Sequence, residues 1–233
     1  MDASSRDARV DRSGFALPAS LKQVAMQEIR RRVFARELRP GVRVDPEVLG
    51  RELGMSKIPV REALSALVGE GIIESVPRRG AFVASLSRRD IEDGYWMLAR
   101  ISGHAAARAA ESVTDATLNE LESLADAMER TRSSAEREDL AFRFHGLINR
   151  TAASPRISAT LRMLGSPLPL GLYEAHPDLA ADADTEHRLV LDALRSRSAD
   201  DARDAMEQHF DHGARASIAV LEEQGFWSAE RGA

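Results

Sequence analysis

Val60, Ala63, Leu64, Leu67 and Val68 stand at i, i+3, i+4, i+7 and i+8, the spacing of one apolar stripe along a helix. Glycines punctuate the stripe closely, with Gly54 ahead of it and Gly69 and Gly71 behind. So short a helix cannot hide its own apolar face, and neighbouring segments have to cover it. Upstream, Leu21, Ala25, Ile29 and Val33, supported by Val24, form an i+4 ladder. This predicts an amphipathic helix of about four turns that Pro40-Gly41 stops. Asp45-Pro46 then opens a short helix with Asp45 as its N-cap and Val48, Leu49 and Leu53 apolar. Ser56 is the expected N-cap of the third helix, whose first turn tolerates Pro59. Downstream, Ile72 to Val76 and Ala81 to Val83 read as two short strands joined by the basic turn Pro77-Arg78-Arg79-Gly80.

Helix, short helix, tight turn, helix and basic hairpin, in that order, predict a winged helix-turn-helix. Such a head suits duplex DNA. The first residues of the third helix reach base edges, while arginines on the wing and on the first helix (Arg30, Arg31, Arg32 and Arg36) reach phosphate. Taken residue by residue, a small αβ subdomain with an ordinary charged surface is the alternative. The run Met55-Ser56-Lys57-Ile58-Pro59-Val60-Arg61-Glu62-Ala63-Leu64, with Leu67, Glu70-Gly71-Ile72-Ile73 and Arg78-Arg79-Gly80-Ala81-Phe82-Val83, resembles the DNA-binding signature of GntR-type bacterial transcription regulators. The resemblance implies DNA contacts at Lys57, Arg61 and Gly80. With their neighbours, the expected DNA-binding set is Arg43, Ser56, Lys57, Ile58, Arg61, Arg78, Arg79 and Gly80. Two positions depart from the family, which has Arg at 57 and a small hydroxyl residue at 58. Lysine is a point charge rather than a bidentate fork, and Ile58 cannot donate a hydrogen bond. Operator preference should therefore differ.

Charge separates this region from the rest. The 233-residue chain carries a net −5, but residues 1–86 hold 15 basic and 11 acidic side chains and the remainder 17 and 26. A +4 head is thus joined to a −9 partner that contains all six histidines. No cysteine is present, which removes disulfides, thiolate catalysis and cysteine-bound zinc. No run of about eighteen apolar residues predicts a membrane span. Met1 to Ser13 is polar without an apolar core, so a cytoplasmic location is expected. The expected organisation is a disordered segment 1–18, a DNA-binding head 19–84, a ligand-sensing and dimerisation domain 85–225 and a tail 226–233.

The second region has helical periodicity throughout. Ser87-x-x-Asp90 resembles a capping box opening a long helix to about Ser112. Thr114-Asp115 caps the next, with Leu118, Leu121, Leu124 and Met128 on one side. Further helices are expected from Ser134 to Ala152, from Pro155 with an interruption at Gly165 to Pro169, from Asp184 to Arg197 and from Asp200 to Gln224. The fold class is therefore mainly α: a winged helix-turn-helix followed by an all-α antiparallel bundle of about six helices.

Three histidines fall on apolar faces of three of these helices. His145 lies between Phe142 and Ile148, His187 accompanies Val190, Leu191 and Leu194, and His209 follows Met206 beside Phe210. They are either packed core imidazoles or convergent ligands for a divalent metal of the zinc or nickel type. His212 is expected at the surface and His176 in solvent. Phe144-His145 with Pro155, Glu186-His187-x-x-Val190-x-x-Ala193-Leu194 and Ala205-Met206-x-x-His209 are similar to the FCD effector domain of the FadR branch, in its compact VanR-like form. That resemblance implies a metal held by one Asp and three His, which carry over as His145, His187 and His209. The Asp position is Ala141; Asp139 faces elsewhere and Glu138 is two turns from His145. Arg100 matches an arginine that holds acidic ligands, and His104 stands where the family has Glu, so an effector site at Arg100 and His104 for a small carboxylate is implied. An interhelical salt bridge is the alternative for Arg100.

These features together predict a dimeric, ligand-responsive repressor on a palindromic operator. The competing class is a metal-dependent enzyme built on the histidines, although HExxH, GxSxG and P-loop motifs are missing from the sequence. A constitutive architectural DNA-binding protein would leave the three histidines without a role.

Overall fold

The computed structural model describes residues 20–152, 154–164 and 177–227. The expected disordered start (1–18), the interruption at 165–169, His176 and residues 228–233 of the expected tail lie outside the described residues.

In the head, α1 (Leu21–Phe34) opens on a reciprocal capping box between Ser20 and Gln23. It buries Ala25, Ile29 and Val33, but Leu21 and Val24 are exposed. The helix also ends ahead of Pro40-Gly41, because the chain turns at Arg36, which adopts a left-handed φ of 60°. Strand β1 (Arg43–Val44) follows, then α2 (Pro46–Glu52), where Asp45 caps the Glu47 amide at 2.8 Å. Next come α3 (Lys57–Gly69), β2 (Ile73–Val76) and β3 (Gly80–Val83). The sheet has the order β1-β3-β2 with both pairs antiparallel. β1 was not anticipated; two residues are too few to show an alternation, and its pairing with Ala81 and Phe82 is non-local. The covered stripe on α3 is Val60, Ala63, Leu64 and Leu67, while Val68, like Val48 on α2, is partly exposed. Ser56 occupies the N-cap position, yet its side chain makes no capping bond.

The arginines of α1 hold the head together rather than projecting to a ligand. Arg30 pairs with Glu70 at the end of α3 at 2.6 Å, with side-chain exposures of only 13% and 4%. Arg31 pairs with Glu28 and Glu37, Arg32 with Glu28 and Glu52, and Arg36 donates to the Gly225 carbonyl. Arg30 is thereby tied into the core, whereas Arg31, Arg32 and Arg36 have intramolecular acceptors that a phosphate would have to displace.

The second region comprises α4 (Arg88–Ser112), α5 (Asp115–Arg130), α6 (Ser134–Thr151), α7 (Pro155–Leu164), α8 (Pro177–Arg195) and α9 (Ala199–Glu223). Capping follows the expected signals at Ser87 with Asp90 and at Thr114. α8 begins at Pro177, well before Asp184. α4 and α9 run antiparallel in close contact. Tyr95 meets Ser217 through their hydroxyls at 2.6 Å, and at the other end a Cβ on Gly103 would stand 3.1 Å from the Arg203 carbonyl oxygen. This approach explains the small-residue face of α4, where Ala99, Ser102, Gly103 and Ala106 are buried. Among the described residues no helix is long and apolar enough to cross a membrane.

Two apolar cores result. One joins α5, α6, α8 and the adjoining parts of α4 and α9. The other is the core of the head, which also takes in Ile91 and Tyr95 from α4 and Ile218 and Leu221 from α9. Phe226 and Trp227, expected in a tail, pack on this core. The Phe226 ring lies 6.1 Å from Phe34, and the Trp227 indole N–H donates to the Leu86 carbonyl at 2.8 Å.

Because Glu70 is buried against Arg30, Glu70→Ala strands a guanidinium among apolar side chains. Its expected cost is about 3–5 kcal/mol, read as a lowered urea midpoint. An unchanged midpoint would show that solvent replaces the carboxylate freely.

Candidate metal centre and nucleic-acid interface

His145 on α6, His187 on α8 and His209 on α9 converge within the lower core, their ring centroids 4.6 to 5.1 Å apart. One donor atom from each lies within 4.8 Å of the others. The apolar periodicity positions them: Phe144, Val190, Leu191, Leu194 and Met206 are buried, so each helix turns its histidine inward beside them. His145 Nε2 and His187 Nε2 face each other at 3.2 Å. The Nδ1 atoms of both are shut off from solvent without a hydrogen-bond partner, although His145 keeps some exposed surface elsewhere.

Burial holds the pKa values of His145 and His187 well below the ordinary histidine value, and neighbouring imidazoles add to the effect. Both are neutral and able to offer lone pairs. His209 is oriented from outside the cluster: its Nδ1 donates to Glu186 Oε2 at 2.9 Å, leaving Nε2 as its other ring nitrogen. The second oxygen of Glu186 accepts from His212 Nδ1. Burial alone would raise the Glu186 pKa, but the hydrogen bonds and charges of the two histidines outweigh it and keep the carboxylate below its usual range. Beside this group Arg137 pairs with Asp184, both largely buried. Burial pushes the Asp184 carboxyl upward and Arg137 only partly offsets it.

Three imidazoles with converging nitrogens fit a borderline divalent cation, and the carboxylate on His209 is the outer support such ligands commonly have. Ala141, one turn before His145, is partly buried apolar packing. Among the described residues no carboxylate joins the three histidines. Glu186 was overlooked as a participant. Its place next to His187, on a helix packed against α9, was the available signal. His212 is half-exposed as expected but tied to Glu186.

Arg100 and His104 stand outside this cluster. Arg100 is bound to Glu207 and Asp211 of α9, and His104 is exposed on α4. Arg100 thus makes the interhelical salt bridge that was the alternative to an effector contact.

On the head, the exposed tip of α3 presents Ser56, Lys57, Ile58 and Arg61. Lys57 reaches Glu47 of α2 at 2.6 Å, a surface pair that solvent screens heavily. Among the described residues Arg61, Arg43 and Arg78 have no ion pair. At the wing Arg78 is left-handed (φ 63°) and Arg79 lies over the Phe82 ring at 5.5 Å. Gly80 has φ 107°, and a Cβ there would stand 3.3 Å from Arg43 Nε, so glycine serves both the turn and the approach of β1. Arg43, Arg61 and Arg78 thus put exposed basic groups, without an ion pair among the described residues, on the tip of α3 and the wing.

Comparisons with known proteins agree with this division. Residues 93–212, just over half of the chain, match the FCD domain, and residues 21–83 match the gntR family of bacterial regulatory proteins. An uncharacterised HTH-type transcriptional regulator of Mycobacterium tuberculosis, Rv0043c, is 26% identical over 185 residues, 79% of this chain and 76% of that protein. The HTH-type transcriptional repressor RspR of Escherichia coli is 24% identical over 210 residues, 87% of this chain and 91% of its own. Among solved structures, E. coli McbR/YncC shares the fold with a TM-score of 0.66 at 24% identity, covering 89% of this chain and 99% of that one.

The neutral state of His145 and His187 has a consequence for stability. In the unfolded chain both take up protons near pH 6.5, whereas in the folded chain they resist protonation. Metal-free protein should therefore be fully stabilised by these groups above that pH and lose stability as the pH falls below it. The slope is at most about 1.4 kcal/mol per pH unit for each histidine. Urea denaturation of chelator-treated protein between pH 7.5 and 5.5 measures it, and His187→Leu should show a shallower dependence. An equal dependence in both would assign the effect to other groups.

Proposed function

The chain belongs to the FCD-containing branch of the GntR family of bacterial transcription regulators, and on that premise we propose that it is a metal-assisted, carboxylate-responsive repressor acting as a dimer on a palindromic operator. Its class, a DNA-binding regulator with a ligand-sensing domain, follows from the family. The proposal adds the metal, the effector chemistry, the dimer and the direction of regulation.

One observation carries it: α9 belongs to both cores. It supplies His209 to the histidine cluster and, twelve residues on, Leu221 to the core of the head. That separation is about 18 Å of continuous helix. A change in the position of His209 is therefore delivered along a stiff element to the residues on which the head rests. Two heads carried by a two-fold dimer would then match or miss their half-sites according to the arrangement of α9.

His145, His187 and His209 would hold the divalent cation, with Glu186 fixing the ring of His209. A bound cation supplies a Lewis-acidic point for a carboxylate. With Ala141 in place of a carboxylate ligand, the protein leaves a coordination position for that acidic effector. Arg100 could take part only by leaving Glu207 and Asp211, so the effector's carboxylate is assigned to the cation instead, and His104 is given no part. The enzyme alternative needs a general base beside the cation. The carboxylate that stands there, Glu186, is committed to His209 and His212. Families matched by the chain are regulators rather than enzymes.

Metal analysis of purified protein, followed by thermal-shift measurement against small carboxylic acids with and without the metal, tests the sensor. Stoichiometric metal and metal-dependent stabilisation by an acid are expected; His187→Ala should abolish both. Full retention by His187→Ala would make the histidines core packing. For the head, Arg61→Ala should weaken binding to a site selected from random duplexes by about 1–3 kcal/mol. Unchanged affinity would remove Arg61 from the interface.

A further inference from the structure

The proposed DNA interface contains one side chain that neither phosphate contact nor hydrogen bonding explains. Ile58, in the first turn of α3, is 64% exposed, more than any other large apolar side chain of the head among the described residues. Its neighbours on the tip are polar. Lys57 beside it is drawn toward Glu47, and Arg61, one turn on and on the same side of the helix, has no ion pair among the described residues. The Ser56 hydroxyl makes no capping bond.

The tip is also held rigidly. A Cβ on Gly50 would stand 2.8 Å from the Met55 carbonyl oxygen and 3.4 Å from that of Ser56. α2 thus lies directly against the turn that delivers Ser56, Lys57 and Ile58, and the missing side chain at 50 is what permits it. A branched apolar group placed on a rigid, solvent-facing recognition turn gains from a partner only by covering apolar surface. In the major groove one base-edge group offers such surface, the C5-methyl of thymine.

Resting on the reading of α3 as the recognition element, we infer that Ile58 is a specificity-determining residue that reads a thymine methyl group in each half-site. Arg61, on the same face, then reads or anchors the neighbouring step. This explains chemically why the tip lacks a hydroxyl at 58: the position is read by apolar contact instead of by hydrogen bonding.

The test replaces thymine by uracil, which removes the methyl group and leaves the base-pairing edge and groove hydrogen-bond pattern intact. Sites are first selected from a random duplex pool with the full-length wild type and, in parallel, with Ile58→Ser. Each thymine of the selected wild-type half-site is then replaced singly by uracil and binding is measured for both proteins. The expected result is at least one position where uracil weakens wild-type binding about fourfold, the worth of one buried methyl, with no effect on Ile58→Ser. Ile58→Ser should also lose the preference for thymine at that position during selection while keeping salt-dependent affinity for duplexes. A selected site with no uracil-sensitive thymine, or equal sensitivity in the two proteins, overturns the inference and leaves the reading of α3 standing. Failure of the wild type to enrich any site overturns that reading, and this inference with it.

Discussion

The close antiparallel contact of α4 with α9 underlies both halves of the molecule. Gly103 makes it possible at one end, where a Cβ would stand 2.5 Å from Glu207 Cγ. At the other end the buried hydroxyl pair of Tyr95 and Ser217 fixes the register. Between them α4 buries the small residues Ala99 and Ser102, which lets the two backbones approach closely there. The register places His209 toward α6 and α8 and sends Ile218 and Leu221 toward the head. If the contact slid by a turn, both the cluster and the seat of the head would be displaced together.

Charge behaves differently once the structure is considered. The +4 of the first 86 residues suggested a basic surface spread over the head. Arg30, Arg31 and Arg32 of α1, and Arg36 just beyond it, instead have intramolecular acceptors, and the Arg30–Glu70 pair is buried enough to be part of the core. Uncommitted cationic groups remain at Arg43, Arg61 and Arg78, on the recognition turn and the wing. A diffuse positive face binds any duplex, whereas a few cations around a rigid tip constrain how the duplex sits. The acidic bundle sharpens that constraint by repelling phosphate elsewhere.

Features that depend on short-range spacing were legible in the sequence. The covered part of the α3 stripe, the caps at Asp45, Ser87 and Thr114, and the inward faces of the histidine-bearing helices were set by local periodicity and capping chemistry, except that Phe142, read as sharing the apolar face of His145, is 71% exposed. Features that depend on what lies opposite were not. Periodicity assigns Arg30 to a polar face but cannot show that Glu70, forty residues on, will cover it. It places Glu186 beside His187 without revealing that α9 presents His209 and His212 to its carboxylate. β1 is defined only by its partner strand, and α1 ends where Arg36 turns rather than at the stronger Pro-Gly signal. Phe226 and Trp227 looked like a tail because the apolar surface awaiting them comes from α1 and the residues before α4.

The histidine cluster is costly where it stands. Two buried Nδ1 atoms lack partners, and each such group costs about 1–3 kcal/mol. Apolar side chains of similar size would pack that space more stably, as Phe144, Val190 and Met206 already do around it. The rings that bear this cost are brought together by α6 and α8, with His209 of α9 beside them. A ligand that engages the facing Nε2 atoms leaves those Nδ1 atoms unpaired and adds its own binding energy only in the arrangement where the rings converge. Such a difference in affinity between two arrangements is what a population shift requires. Since α9 also contributes Ile218 and Leu221 to the core of the head, the packing around His209 and the packing beneath the head share one helix.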